Sequence, residues 1–236
     1  MKYQIHKTIT PACIDAMGNI RPRAVLALFQ DAAGTHAEAL GVGFEALLKK
    51  NLLWVVTQIR YRVLKPIGEE QEITVETWPL PPNRLGFERC YRLLDAQGKL
   101  LIEGTSNWVV MDTQTRKMAA AGDLYPPMEF CLDKTFEDRA RRIKDFEAAA
   151  AACTITPDPS LIDGNGHVNN THYASFAETA LGGHQAIIRA FQIDFLHEVL
   201  QGQPLSLFCA KEENSALVKG EAADGTRMFA CSFLYE

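Results

Sequence analysis

The chain has 236 residues, of which 47% are hydrophobic and 22% are charged, and its formal net charge is −5. These values are typical of a globular protein of one or two domains with a sizeable core. A run of about 18 apolar residues would predict a membrane span, and the sequence has none. Residues 1–7 lack the apolar stretch of a signal peptide, so we expect a cytoplasmic protein. The negative net charge disfavours general nucleic-acid binding.

Cysteine spacing excludes two further classes of protein. The six cysteines are scattered along the chain, and no pair has the C-x-x-C spacing that is typical of zinc sites. The sequence therefore predicts neither a metal centre nor a disulfide framework.

The first half of the chain predicts a strand, a helix and an antiparallel meander. Residues 3–14 alternate as a strand does, and Gly18-Asn19 forms a turn. Apolar residues then recur every three or four positions from Pro22 to Leu40, which predicts a helix. Stretches rich in β-branched and aromatic residues predict four strands, over 54–64, 72–78, 87–94 and 100–111.

The second half of the chain repeats this order after a connector. Residues 119–152 predict a connector with some helix, followed by a strand at 153–155 and a polar loop over 158–167. A helix is expected to begin at Asn169 or Asn170, since asparagine is a good N-cap. Further strands are predicted at 191–200, 205–211, 217–222 and 227–235. We therefore predict an N-terminal unit over 1–118, a connector over 119–152 and a C-terminal unit over 153–236.

An internal repeat supports this division. The heptapeptide IDAMGNI at 14–20 recurs as IDGNGHV at 162–168, and QIRY at 58–61 recurs as QIDF at 192–195. Two diverged copies of one unit are the simplest interpretation. In the second copy Asn165 and His167 stand where the first copy has Met17 and Asn19. The second copy is thus the one predicted to carry chemistry.

The segment 163–173, DGNGHVNNTHY, resembles the D-x-N-x-H-V-N-N-x-x-Y signature of the acyl-acyl carrier protein thioesterases. Segments 86–91, 108–112 and 115–116 are also similar to stretches of that family. The resemblance implies an α+β fold of two tandem hotdog units, each a curved antiparallel sheet wrapped around a central helix. It also implies hydrolysis of fatty acyl-acyl carrier protein (acyl-ACP) thioesters in fatty acid biosynthesis, without a cofactor or metal.

This reaction needs an activated water, a site for negative charge on the carbonyl oxygen and a dry slot for the chain. His167 and Glu198 are the predicted proton-handling groups. Asn165 is expected to hold the water or the carbonyl oxygen, and Asp163 to orient the loop and the histidine. The N-terminal end of the following helix is expected to supply N–H donors for the oxyanion.

In the family the catalytic glutamate is followed by cysteine, whereas this chain has Glu198-Val199. A valine cannot attack a carbonyl, so the sequence excludes a covalent cysteine mechanism at this position and predicts direct attack by water. When the two copies are superimposed, Leu64 falls opposite Glu198.

The other substrate-binding candidates come from the same superposition and from the start of the helix. Met17, Asn19 and Leu64 occupy the positions that lost polar groups, and we expect them to form a wall against the acyl chain. Asn169 and Asn170 are cap and loop residues that are also candidates for substrate contact.

Several alternatives remain at this point. Asp163, Asn165 and Gly166 are also ordinary turn residues, and Glu198 could be a solvated side chain. A metal site at Asp163 and His167 lacks a third ligand. The activity itself could be that of an acyl-CoA thioesterase, or the chain could be an acyl-thioester sensor without enzymatic activity.

Acyl carrier protein is acidic, so we expect it to dock on basic residues of a monomer or homodimer. Two clusters are candidates for this surface: Arg139, Arg141, Arg142 and Lys144 in the connector, or Arg60, Arg62 and Lys65 near one strand.

Overall fold

The computed structural model describes residues 2–84, 86–120, 124–184 and 186–236. It divides into two compact units. The first unit comprises Met1–Pro11 and Leu26–Arg139, and the second comprises Ala12–Val25 and Ala140–Glu236. The predicted domain limits at 118 and 152 remain predictions.

The helices are α1 (Pro22–Ala39), α2 (Phe44–Leu48) and α3 (His172–Leu181). Proline suits the first position of α1 because its fixed φ fits a helix and its missing N–H would have no intrahelical partner there. Short 3-10 turns lie at Pro11–Cys13 and Pro159–Leu161. None of the helices in the described part of the chain is long and apolar enough to cross a membrane.

The first unit is an antiparallel sheet packed against α1. Its strands are β1 (Tyr3–Thr8), β2 (Leu52–Val63), β3 (Glu72–Pro79), β4 (Phe87–Asp95), β5 (Leu100–Asp112) and β6 (Met118–Ala119). Their order is β1-β3-β4-β5-β2, and β6 pairs with β5. Phe29 of α1 stacks on Tyr91 with ring centroids 4.1 Å apart. Gly104 is required beneath this helix, because a Cβ there would collide with the Phe29 ring.

The second unit repeats this arrangement around α3. Its strands are β7 (Cys153–Ile155), β8 (Ile188–Phe195), β9 (Leu205–Lys211), β10 (Ser215–Glu221) and β11 (Arg227–Tyr235). They are antiparallel and ordered β8-β11-β10-β9-β7. Tyr173 of α3 meets the rings of Phe195 and Phe229 edge-on, at centroid distances of 5.6 and 5.2 Å. The predicted order of strand, helix and meander is therefore confirmed in each half.

Several predicted element boundaries differ from those of the structure. The strand predicted over 191–200 ends at Phe195, since the N–H groups of Leu196 and His197 both donate to the Met228 carbonyl at 3.0 Å. The helix begins at His172 rather than at Asn169 or Asn170. The strand predicted over 3–14 ends at Thr8, and a 3-10 turn follows.

The prediction of helix in the connector was also wrong, since the part of 119–152 that the structure describes contains no helix. Side chains fasten this segment to the sheet instead. In the first unit, the carbonyl of Asp133 accepts from Trp78 Nε1 at 2.7 Å, and the hydroxyl of Thr135 donates to the Gly104 carbonyl at 2.9 Å. At the end of the alanine run, the N–H of Ala152 donates to the Leu207 carbonyl at 2.7 Å.

Candidate active site

The polar loop of the second copy is a tight turn closed by its own aspartate. The backbone N–H of Asp163 donates to the His167 carbonyl at 2.9 Å, and the carboxylate of Asp163 accepts from the N–H of Asn165 at 2.8 Å. Gly166 has φ +82°, a conformation that side-chain-bearing residues rarely adopt. The predicted turn role of these residues is therefore present, and the same turn presents the side chain of His167.

The first copy of the repeat forms the same turn. Asp15 N–H donates to the Asn19 carbonyl at 2.9 Å, and its carboxylate accepts from Met17 N–H at 2.8 Å. Gly18 has φ +81°. Because the two backbones match bond for bond, the differences between the copies are differences of side chain on a common turn.

Asn19, which corresponds to His167, holds the first-copy loop in place. Its Oδ1 accepts from Ile188 N–H at 2.8 Å, and its Nδ2 donates to the Ala186 carbonyl at 3.2 Å and to Asp15 Oδ2 at 3.0 Å. The side chain is 6% exposed. Asn19 thus stabilises the loop through these hydrogen bonds. Its predicted contact with substrate remains a prediction.

Met17 and Leu64, the apolar residues that correspond to Asn165 and Glu198 in the sequence repeat, are exposed at the surface. Met17 is 44% exposed and Leu64 is 42% exposed. Their predicted role as a wall against an acyl chain remains a prediction.

His167 is held in a tautomer that suits a general base. Its Nδ1 lies 3.3 Å from the Val168 carbonyl oxygen, which can only accept a hydrogen bond. In the neutral ring the proton is therefore on Nδ1, and Nε2 keeps its lone pair. Asp163 Oδ1 lies 3.8 Å from the same Nδ1, so the carboxylate acts on the ring through charge and not through a hydrogen bond.

The segment that carries Glu198 pairs directly with the histidine loop. Val168 N–H donates to the Val199 carbonyl at 2.8 Å, and His167 forms an antiparallel bridge with Leu200. Val168 and Val199 are fully buried. In a regular antiparallel pair residues 167 and 198 would share the opposite face, but here the cross-strand hydrogen bonds stop at Val199, whose N–H donates to the Tyr173 hydroxyl.

The register sets the spacing of the two groups. Glu198 lies two residues before Leu200, the bridge partner of His167, which makes Glu198 the diagonal neighbour of the histidine. In a regular antiparallel pair such diagonal neighbours are about 7–8 Å apart, within reach of long side chains. A glutamate and an imidazole at this spacing are able to hold one water between them.

Glu198 lies in an exposed loop rather than in the predicted strand. Tyr173 holds that loop, because its hydroxyl accepts from Val199 N–H at 3.0 Å. Burial raises the pKa of Tyr173, and the negative charges of Glu198 and Asp163 raise the pKa further, against the opposing effect of the Val199 hydrogen bond. Both carboxylates therefore act on one buried phenol.

Sequence reasoning included Tyr173 only as the last residue of the 163–173 signature and missed its hydrogen bond to Val199. A signal existed, because a buried tyrosine hydroxyl requires a hydrogen-bonding partner. The sequence does not show that the partner is the residue after Glu198.

The backbone N–H groups at the start of α3 have hydrogen-bond partners that the sequence did not predict. The side chain of Asn169 accepts from the N–H and the hydroxyl of Thr171, at 3.0 and 2.8 Å, and the Asn169 carbonyl accepts from His172 N–H at 2.9 Å. Two N–H groups that were expected to face the oxyanion are thus already paired. Asn170 is half-buried and Asn165 is exposed, and their predicted contacts with substrate or water remain predictions.

Val199 stands at the position where the family has a cysteine. Val199 is fully buried, and its side chain lies on the face opposite to His167. Among the described residues, no group of three His, Cys, Asp or Glu side chains is arranged to hold a metal ion. The predicted catalytic roles of His167 and Glu198 remain predictions.

Replacing Tyr173 with phenylalanine is expected to lower kcat by roughly 10- to 100-fold, because Val199 N–H would lose its acceptor and Glu198 would lose its fixed position. KM should change little, since Tyr173 is buried away from the polar face. Steady-state thiol-release kinetics measure both constants. Tyr235→Phe is the matched control, because it also removes a phenol from this unit, at His184. Equal kinetic losses in the two variants would contradict the positioning role.

Two solved structures share this architecture. An acyl-ACP thioesterase from Bacteroides thetaiotaomicron has a TM-score of 0.86 and 24% identity, covering 100% of this chain and 98% of that chain. The 12:0-ACP thioesterase from Umbellularia californica has a TM-score of 0.85 and 19% identity, covering 100% of this chain and 97% of that chain. The protein is thus a tandem hotdog protein of the α+β class, which confirms the predicted fold.

Residues 1–125 match the family model described as the acyl-ACP thioesterase N-terminal domain, and the chain belongs to this family. The chloroplastic palmitoyl-acyl carrier protein thioesterase of Gossypium hirsutum is 31% identical over 158 residues, 61% of this chain and 38% of that protein. The chloroplastic oleoyl-acyl carrier protein thioesterase 2 of Arabidopsis thaliana is 25% identical over 223 residues, 84% of this chain and 60% of that protein. The chain spans less than two thirds of either relative. The predicted resemblance of the chain to the acyl-ACP thioesterases is therefore confirmed.

Proposed function

We propose that this chain hydrolyses fatty acyl-ACP thioesters to free fatty acid and carrier in fatty acid biosynthesis. The observation that carries the proposal is the short backbone pairing of 167–168 with 199–200, which joins the histidine loop to the loop that contains Glu198. The names of the family relatives support the choice of a carrier thioester as substrate. The predicted cytoplasmic location is part of this proposal.

In the proposed reaction, a water between His167 and Glu198 attacks the thioester carbonyl carbon. His167 Nε2 accepts a proton from the water, and the carboxylate of Glu198 orients the water and stabilises the imidazolium that forms. The tetrahedral intermediate then expels the carrier thiol, whose sulfur takes the proton back from His167. No covalent acyl-enzyme forms, because Val199 stands at the position of the family cysteine.

The exposed basic residues of the connector support docking of the acidic carrier. Arg141, Arg142 and Lys144 are exposed in the second unit, and Arg139 is exposed in the first. The other predicted cluster is less suited, since Arg60 is 12% exposed and pairs with Asp138 at 3.1 Å. Docking on exposed charges should weaken as salt rises, because salt screens them.

The test is to incubate the purified protein with ACP and CoA thioesters of the same acyl groups and to follow thiol release. We expect thiol release, with ACP thioesters cleaved at the higher kcat/KM and with that preference reduced at high salt. A consistent preference for CoA would favour the acyl-CoA thioesterase instead. Tight binding of both thioesters without thiol release would favour the acyl-thioester sensor and refute the hydrolase.

A further inference from the structure

The loop that contains Glu198 ends in a tight turn over 200–203, which Gln203 closes with two hydrogen bonds. The side-chain Oε1 of Gln203 accepts from Leu200 N–H at 3.0 Å, and the backbone N–H of Gln203 donates to the Leu200 carbonyl at 3.2 Å. A single glutamine therefore pairs both backbone polar groups of Leu200. In a regular sheet the backbone of a neighbouring strand would do this.

Leu200 is the residue at which the two loops of the candidate site meet. It forms the antiparallel bridge with His167, and Glu198 lies two residues before it. The residue between them, Val199, donates its N–H to the Tyr173 hydroxyl at 3.0 Å, and its carbonyl accepts from the histidine loop at 2.8 Å. The bond to Leu200 N–H thus completes the backbone hydrogen bonding of the two residues that follow Glu198.

The turn itself is anchored at Gly202. This residue has φ +72°, and its N–H donates to the Pro157 carbonyl at 2.9 Å. Pro157 belongs to the segment that leads into the histidine loop. With Gly202 fixed in this way, the amide of Gln203 has a defined position from which it holds Leu200.

The first unit contains the same kind of turn over 68–71. Gln71 Oε1 accepts from Gly68 N–H at 3.0 Å. Glu70, the third residue of this turn, has φ +56°, and its N–H donates to the Ile9 carbonyl at 2.7 Å. The side-chain acceptor, the positive φ at the third position and the bond from that position to the preceding segment are therefore common to both turns.

The two turns differ in the residue that they support. The position two residues before the turn is Glu198 in the second unit and Pro66 in the first. The two N–H groups just before each of these positions donate together to one carbonyl, that of Met228 in the second unit and that of Leu101 in the first. Pro66, and not Leu64, thus corresponds to Glu198, which corrects the superposition made from the sequence. Proline has no proton-handling group.

We propose that Gln203 is a positioning residue for the reaction, which holds the Glu198 loop against the histidine loop by accepting from Leu200 N–H. The inference rests on the proposed function for the roles of Glu198 and His167. Gln203 acts through the backbone and not on the substrate, so we expect it to affect turnover and not substrate binding.

The test is to replace Gln203 with methionine, which has nearly the same size and lacks the amide acceptor. The kcat for acyl-ACP hydrolysis should fall by about 5- to 30-fold, as expected for the loss of one hydrogen bond that orients a reacting group. KM should change little. Gln203→Glu keeps an acceptor oxygen at the same distance along the side chain and should restore most of kcat. Steady-state thiol release measures both constants.

Gln71→Met is the matched control, because it removes the same acceptor from the corresponding turn of the first unit. The two methionine variants should lose similar thermal stability, while only Gln203→Met loses kcat. Equal losses of kcat in both would show a general loosening of the protein and overturn the proposal. A wild-type kcat in Gln203→Met, or a Gln203→Glu variant as slow as Gln203→Met, would overturn it as well. If Gln203→Met does not fold, Gln203→Asn, which is shorter by one methylene, replaces it.

Backbone hydrogen exchange separates this inference from the proposed function. If no thioester is cleaved, the hydrolase proposal fails while exchange still tests Gln203. In Gln203→Met the amides of Leu200 and of the histidine loop over 163–168 should exchange faster than in the wild type, because the pairing of the two loops opens more often. Wild-type exchange in the histidine loop of this variant would overturn the inference.

Discussion

Replacing His167 with alanine is expected to lower kcat for acyl-ACP hydrolysis by about 10²- to 10⁴-fold, the range over which a general base contributes. The Val168 carbonyl, 3.3 Å from Nδ1, fixes the tautomer in which Nε2 receives the proton of the attacking water. Alanine removes that acceptor and leaves the backbone of the turn unchanged. KM should remain close to the wild-type value. Steady-state thiol release measures both constants.

His197→Ala is the control for this prediction. His197 is exposed and lies in the same loop as Glu198. Its replacement is the same histidine-to-alanine change and leaves the His167 side chain intact. Near-normal turnover in His167→Ala, or an equally large loss in His197→Ala, would contradict the assignment of His167 as the base.

Replacing Glu198 with glutamine is expected to lower kcat by about 10²- to 10³-fold, somewhat less than the loss of the base itself. The amide keeps the shape and can still contact a water, but it loses the negative charge that stabilises the imidazolium. The loop should stay in place, since it is held by Val199 through the Tyr173 hydroxyl and through Val168 N–H. Thiol release and the thermal midpoint of unfolding should be measured together.

An unchanged thermal midpoint with a large loss of kcat would separate a chemical role from a structural one. Glu213→Gln is the matched control, because Glu213 is an exposed glutamate of the same unit outside this loop. If Glu198→Gln and Glu213→Gln had the same kinetics, Glu198 would be only a solvated side chain.

Most of the strands were predictable because they are rich in β-branched and aromatic residues. The bounds of β9 and β11 match the prediction at both ends. The end of β8 was not predictable in this way. Apolar residues continue to Leu200, but from Leu196 onward the hydrogen bonds go to Met228 and then to the histidine loop. Hydrogen bonding to a segment that is distant in sequence cannot be recognised from the local sequence pattern.

The residue types of the site were predictable from the sequence, whereas the hydrogen bonds that hold its loops in place were not. The repeat showed which copy had gained Asn165 and His167, and the structure shows that both copies share one turn. The bond from Val199 to Tyr173 joins a loop to a helix far away in sequence, and no spacing rule predicts it.

The central claim is that His167 and Glu198 act on one water. It is tested most directly by a double-variant cycle of single-turnover thiol release from acyl-ACP, with His167→Ala, Glu198→Gln and both together. Groups that act as a unit give effects that do not add, so the double variant should be about as slow as the slower single variant. A double variant slowed by the product of the two single effects would show independent roles and would contradict the account.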